Sequence, residues 1–159
     1  MKTAVKEDQQ MTNQEITILI AEDDDGHAEL VQKNLRRAGI INSIIRFSDG
    51  TEALNFLCKE GDSPHLIDGN AYVLLLDIRM PGLDGIEVLK KIKGDSSLKK
   101  IPVIMLTTTD DPREVAKCHE IGCSSYITKP VAYESFVDAV HKLGLFLTIV
   151  KVPSINGTA

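Results

Sequence analysis

Short apolar runs alternate with segments of helical periodicity along most of this chain. The clearest runs are Ile16 to Ala21, Tyr72 to Leu76, Pro102 to Leu106 and Ser125 to Thr128, with a shorter one at Ser43 to Phe47. Unbroken apolar runs mark strands buried on both faces, as in a parallel sheet. Between them, a first helix is predicted over about Asp25 to Arg37, with Leu30, Val31, Leu35 and Ala38 as its apolar stripe and Gly39 as its stop. A second helix opens at Asp49, with Glu52 three residues on in a capping-box-like start, and buries Ala53, Leu54 and Leu57.

A third helix presents Ile86, Leu89 and Ile92, with Asp84 as its cap. The fourth has Asp111 as cap, Pro112 in its first turn and Glu114 three after the cap. The fifth carries Phe136, Val137, Val140 and Leu143 at helical spacing, and the glycines and proline of Gly61 to Asn70 predict a loop. Strands alternating with helices require right-handed crossovers, so the expected fold is a doubly wound α/β domain with a parallel sheet and helices on both faces.

The ends of the runs carry the chemistry. Ile16 to Ala21 runs into Glu22, Asp23, Asp24 and Asp25; Tyr72 to Leu76 ends on Asp77; Leu106 precedes Thr107, Thr108 and Thr109; Thr128 precedes Lys129. Parallel strands share one carboxyl rim, and doubly wound proteins bind their ligands there. Three carboxylates crowded together repel one another unless a cation neutralises them, and hard oxygen donors favour Mg²⁺ or Mn²⁺. Taken singly, Glu22 and Asp23 would be a solvated helix start and Thr107 an ordinary strand residue; their convergence with Asp77 reverses that.

Composition narrows the class. With 159 residues the chain has room for one domain, and 18 Lys+Arg against 23 Asp+Glu give a net charge of -5, which disfavours a nucleic-acid surface. No apolar stretch reaches membrane-span length, and Met1 to Gln14 lacks a signal core, so the expected location is cytoplasmic. Cys58, Cys118 and Cys123 have no CxxC spacing and are given no functional role, Cys118 and Cys123 being read as packing residues; His27, His65, His119 and His141 show no ligand spacing and are read as surface or edge residues. The division expected is a tail over 1–14, a domain over 15–143, and an apolar extension over 144–159 that packs on its own domain or forms a dimer contact.

Over about residues 16 to 143 the chain resembles the receiver domain of two-component response regulators. The resemblance rests on Glu22 and Asp23, on Asp77 with the Met80 to Gly85 loop, on Thr107, and on Lys129 with Pro130, in that order. It implies a flavodoxin-like five-stranded sheet of order 2-1-3-4-5, with Asp77 accepting a phosphoryl group from a histidine kinase. It further implies Mg²⁺ bound by Asp23, Asp77 and the backbone carbonyl of Arg79, with Glu22 acting through a water. Lys129 would contact the phosphoryl oxygens, a cis Lys129-Pro130 bond would aim it, and Thr107 and Tyr126 would move as the switch. Gly82 and Gly85 are expected to supply the backbone angles of the loop that brings the Arg79 carbonyl toward the metal.

The phrases Met105 to Thr109, Cys123 to Val131 and Leu145 to Val152 are similar to single-domain regulators paired with phytochrome-type histidine kinases. That implies a stand-alone regulator whose fourth helix, fifth strand and fifth helix read the state, and a homodimer through that face and the extension. A phosphorelay intermediate, a phosphate sink and a phosphorylation-independent binding module are the alternatives. Two rivals from other classes fit worse. A haloacid-dehalogenase-type enzyme needs a second carboxylate where Arg79 stands, and the four acids after the first strand would repel a flavin phosphate. No turnover enzyme is expected.

Overall fold

A computed structural model describes residues 16–62, 64–108 and 111–129. In chain order these form β1 (Ile16–Ala21), α1 (Asp25–Arg37), β2 (Ile44–Phe47), α2 (Gly50–Cys58), β3 (Ala71–Leu76), α3 (Gly85–Lys93), a 3₁₀ turn (Leu98–Lys100), β4 (Val103–Thr107), α4 (Pro112–Ile121) and β5 (Ser125–Thr128). All four strand pairings are parallel, in the order β2-β1-β3-β4-β5. The expected sheet order is therefore found. The 1–14 tail, the fifth helix, the Lys129-Pro130 bond and the 144–159 extension lie outside the described residues.

Alternation along the strands divides the core in two. Leu19, Ala21, Leu74, Leu76, Val103 and Met105 point to one face, where Ala53 and Leu57 of α2, Val88, Leu89 and Ile92 of α3, and Cys118 of α4 cover them. Ile18, Ile20, Val73, Leu75, Ile104 and Leu106 point to the other, against Val31 and Leu35 of α1. Every residue of β3 is buried, as a central strand covered on both faces must be.

Local chemistry sets the helix starts, as expected at Asp49, Asp84 and Asp111, and also at Asp24, which was not singled out as a cap. The carboxylates of Asp24, Asp49, Asp84 and Asp111 accept N–H bonds from His27, Glu52, Glu87 and Arg113. The second start differs in one detail, because Glu52 reaches Ser48 N–H at 2.9 Å rather than that of the cap residue. The Gly61 to Asn70 loop is tied down by buried Leu66, by Lys59 paired with Asp68 at 2.7 Å, and by Ile67 N–H donating to the Tyr72 hydroxyl at 2.8 Å. Cys118 and Cys123 are buried packing residues, as expected, and burial pushes the Cys118 thiol up to about 11. Among the described residues no helix is long and apolar enough to cross a membrane.

Candidate functional site

Two strand ends bring the acids together. Parallel pairing of Ala21 with Leu76 makes Glu22 and Asp77 neighbours on the rim, and the Asp77 N–H donates to Ala21 O at 3.1 Å. Carboxylate oxygens of Glu22, Asp23 and Asp77 lie within 4.8 Å of one another. Glu22 and Asp77 are buried while Asp23 is exposed, so the cluster is open to solvent on one side.

Lys129, just past β5, is only 5% exposed, and its ammonium enters this cluster. It donates to Glu22 Oε1 and, at 3.2 Å, to Asp77 Oδ2. A buried lysine must be paired to stay charged, and here two carboxylates share it. Burial pushes the Glu22 carboxyl up to about 7; a hydrogen bond with Asp77 adds to the rise and Lys129 opposes it. Burial acts upward on Asp77 too, yet the Glu22 hydrogen bond and the Lys129 charge outweigh it and hold Asp77 below the usual carboxylate range. In the metal-free pair the two carboxyls are thus pushed apart, Glu22 upward and Asp77 downward.

Thr107 ends β4 with its side chain wholly buried. Its hydroxyl is near enough to Asp77 to lower that pKa, but it meets no partner in ordinary hydrogen-bond geometry among the described residues. Tyr126, opposite Met105 in the sheet, is half-buried against the larger core cluster. Arg79 N–H donates to Asp77 Oδ1 at 3.3 Å, and its exposed guanidinium lies 3.9 Å from Glu114 of α4. The side chains of Glu22, Asp23, Asp77, Thr107 and Lys129 are thus at the rim, with Tyr126 two strand residues behind Thr107 and its partner Thr128.

Three further residues matter that sequence reasoning passed over or explained differently. His27 is no isolated edge histidine: its Nδ1 is 3.3 Å from Lys129 Nζ and 3.5 Å from Glu22 Oε1. Gly82 has the positive φ expected of it, 75°. Gly85 does not need one. It opens α3 hard against the phosphoacceptor candidate, where an added Cβ would stand 2.1 Å from the Asp77 carbonyl oxygen. Arg46 of β2 was not singled out at all, yet its guanidinium holds the Glu22 carbonyl.

The donors brought together are three carboxylates with no thiolate among them, a set suited to a hard divalent ion. Chemically, the arrangement sets a carboxylate held below its usual range beside a buried cation and a hydroxyl that has no well-formed partner among the described residues.

A family model described as the response regulator receiver domain matches residues 18–141. A response regulator receiver domain from Rhodospirillum rubrum is 48% identical, with a TM-score of 0.83 over 89% of this chain and 99% of that one. The response regulator Rcp1 of Synechocystis sp. is 37% identical over 112 residues, 70% of this chain and 75% of Rcp1. A Mn²⁺-bound form of Rcp1 superposes with a TM-score of 0.78 at 33% identity, over 86% of this chain and 98% of that one. The phosphorylated cyanobacterial phytochrome response regulator RcpA superposes with a TM-score of 0.77 at 29% identity, over 87% of this chain and 98% of that one. With the fold and the matched span in agreement, this chain belongs to the response regulator receiver domain family.

Proposed function

We infer that this chain is a stand-alone response regulator that accepts a phosphoryl group on Asp77 from a sensor histidine kinase. The observation that carries the reading is the state of Asp77: buried, ionised and aimed at a rim where Lys129 and the Thr107 hydroxyl converge. Its carboxylate would attack phosphorus, forming a new O–P bond as the bond to the donor's leaving group breaks. Lys129 would leave Glu22 for the phosphoryl oxygens, and the Thr107 hydroxyl would find there the partner it lacks.

Asp23, Asp77 and the Arg79 carbonyl would hold Mg²⁺, with Glu22 acting through a water; Mn²⁺ is an alternative, in keeping with the Mn²⁺-bound form of Rcp1. When bound, the ion supplies positive charge that offsets the charge on the transferring group. The recruitment of Thr107 would draw the loop after β4 inward, with Tyr126 following, so that α4 and β5 report the state. The resemblance to Rcp1 and to RcpA supports a phytochrome-type kinase as partner. A homodimer through α4, β5 and the C-terminal segments completes the proposal.

The test is intact mass after incubation with acetyl phosphate and Mg²⁺. One phosphoryl group gained, only with Mg²⁺ and not by Asp77→Asn, is expected; gain by Asp77→Asn would overturn the assignment.

A further inference from the structure

Only the first two of the four acids after β1 enter the reading above. Asp24 is the α1 cap, its Oδ1 accepting from His27 N–H at 2.9 Å. Asp25 is exposed, and its Oδ1 accepts from Arg46 Nη1 at 2.7 Å. The same guanidinium donates twice more, from Nε at 2.9 Å and Nη2 at 2.7 Å, to the backbone carbonyl of Glu22.

Arg46 thus spans the whole turn. It stands beside Ile20 in the β1-β2 pairing, so its stem starts on the edge strand and runs to the rim. The strand residue after it completes the hold, since Phe47 O accepts the Glu22 N–H at 3.1 Å. The Glu22 peptide is fixed at both its N–H and its carbonyl by β2, while the far end of the turn is fixed through Asp25. Asp23 lies between these anchors. No hydrogen bond among the described residues is recorded for its carboxylate, so its direction follows from the backbone of the turn.

A guanidinium is suited to this task. Its planar fork makes several N–H bonds at once with little further loss of freedom, and the side chain is only 22% exposed. Four consecutive acids also repel one another, and the cation opposes that repulsion from the side away from Lys129.

We propose that Arg46 is a positioning residue for the metal site: by fixing the Glu22 carbonyl and the Asp25 carboxylate it holds the turn that aims Glu22 and Asp23. The inference rests on the reading of Asp77 as a Mg²⁺-dependent phosphoacceptor. Arg46 itself touches neither the ion nor the reacting atoms.

The experiment compares the full chain with Arg46→Ala and Arg46→Lys in two measurements. The first is amide hydrogen exchange of the Glu22 to His27 segment in metal-free protein. The second is Mg²⁺ affinity by calorimetry, read beside phosphoryl gain from acetyl phosphate at saturating Mg²⁺. Arg46→Ala is expected to speed exchange in that segment and to weaken Mg²⁺ binding about tenfold, as loss of a supporting contact behind metal ligands does, with phosphoryl gain near the parent level once Mg²⁺ saturates. Arg46→Lys keeps the charge without the fork and should stay close to Arg46→Ala in both. It carries the test by itself if the alanine variant does not fold. Parental exchange and parental affinity in Arg46→Ala would overturn the proposal, as would full rescue by lysine, which would reduce the role to charge. If the parent gains no phosphoryl group, the reading of Asp77 fails separately, and exchange in metal-free protein still decides whether Arg46 holds the turn.

Discussion

On the β1-β3 half of the rim the main chain at the acids is gripped by a side chain as well as by strand pairing. On the β4-β5 half, among the described residues, the main chain is held by strand pairing alone, Lys129 N–H donating to Thr107 O, and the contacts to the acids come from side chains. Glu22 and Asp77 both have their N–H groups bonded to neighbouring strands, the Glu22 carbonyl is gripped by Arg46, and the Asp77 carbonyl is packed against Gly85. Lys129 reaches the cluster with a flexible stem, and Thr107 offers a hydroxyl with no well-formed bond. Groups that define a reacting geometry gain from backbone anchoring, because a backbone shift moves strands as well. Groups that respond to a ligand need contacts they can exchange, and those come at the cost of some unsatisfied polarity.

Removing the mobile cation should have the largest effect. Lys129→Met is expected to cut phosphoryl gain from acetyl phosphate by roughly a hundredfold or more, the usual scale for losing a group that stabilises charge in a transition state. Mg²⁺ affinity in calorimetry should be kept or improved, since the ammonium no longer contends for Glu22 and Asp77. A parallel loss of Mg²⁺ binding would mean that both halves of the rim hold the acids.

The anchored half is broken at Gly85. In Gly85→Ala the new methyl would overlap the Asp77 carbonyl, so α3 or the end of β3 must move, at about 3 kcal/mol in denaturant unfolding, toward the upper end for overpacking. The same substitution at Gly50, whose Cβ would meet Leu83 O at 2.7 Å, should also destabilise but leave the acids in place. Comparing phosphoryl gain in the folded fractions of the two variants separates damage to the site from damage to packing.

The acids themselves sharpen the contrast through pH. Glu22 has a folded pKa raised to about 7, so its contribution to metal-free stability is fully present below its unfolded value of 4.5 and is lost as pH rises through 7. Asp77 is shifted downward, so its contribution is lost only at lower pH and is constant across that window. Metal-free protein should therefore lose stability between pH 5 and 7, with a slope of at most about 1.4 kcal/mol per pH unit, and Glu22→Gln should flatten it. Denaturant midpoints at a series of pH values check this. A slope unchanged in Glu22→Gln would place the proton elsewhere.

Thr107→Val should change stability least. Its hydroxyl makes no well-formed hydrogen bond among the described residues, so replacing it orphans none of their polar groups and the unfolding free energy should stay within about 1 kcal/mol of the parent. A larger loss would show that the hydroxyl already has a partner before any phosphoryl group arrives.

The strands and the acids at their ends were legible because burial on both faces writes itself as an apolar run, and Asp77 ends the longest-buried of them. The helix caps were legible for a similar local reason, an acid one step before a periodic segment. Arg46 was not legible, because its importance depends on lying beside Ile20 across the sheet, a pairing 26 residues distant. His27 looked isolated for the same reason, its neighbour Lys129 being 102 positions away. Gly85 was recognised as a needed glycine but for the wrong cause: its constraint is a close approach to Asp77, which spacing along a loop cannot reveal.

The Lys129-Glu22 pair closes a span of 107 residues. A chain emerging from its amino end would display Glu22 and then Asp77 well before their counter-charge existed. The last described strand therefore brings both its place in the sheet and the cation that two buried acids share in one event. Contacts of such long separation tend to form late, so the loss of this one in Lys129→Met should show in the unfolding rate and hardly in the folding rate. The residue that readies the site would also be the latch that slows its opening.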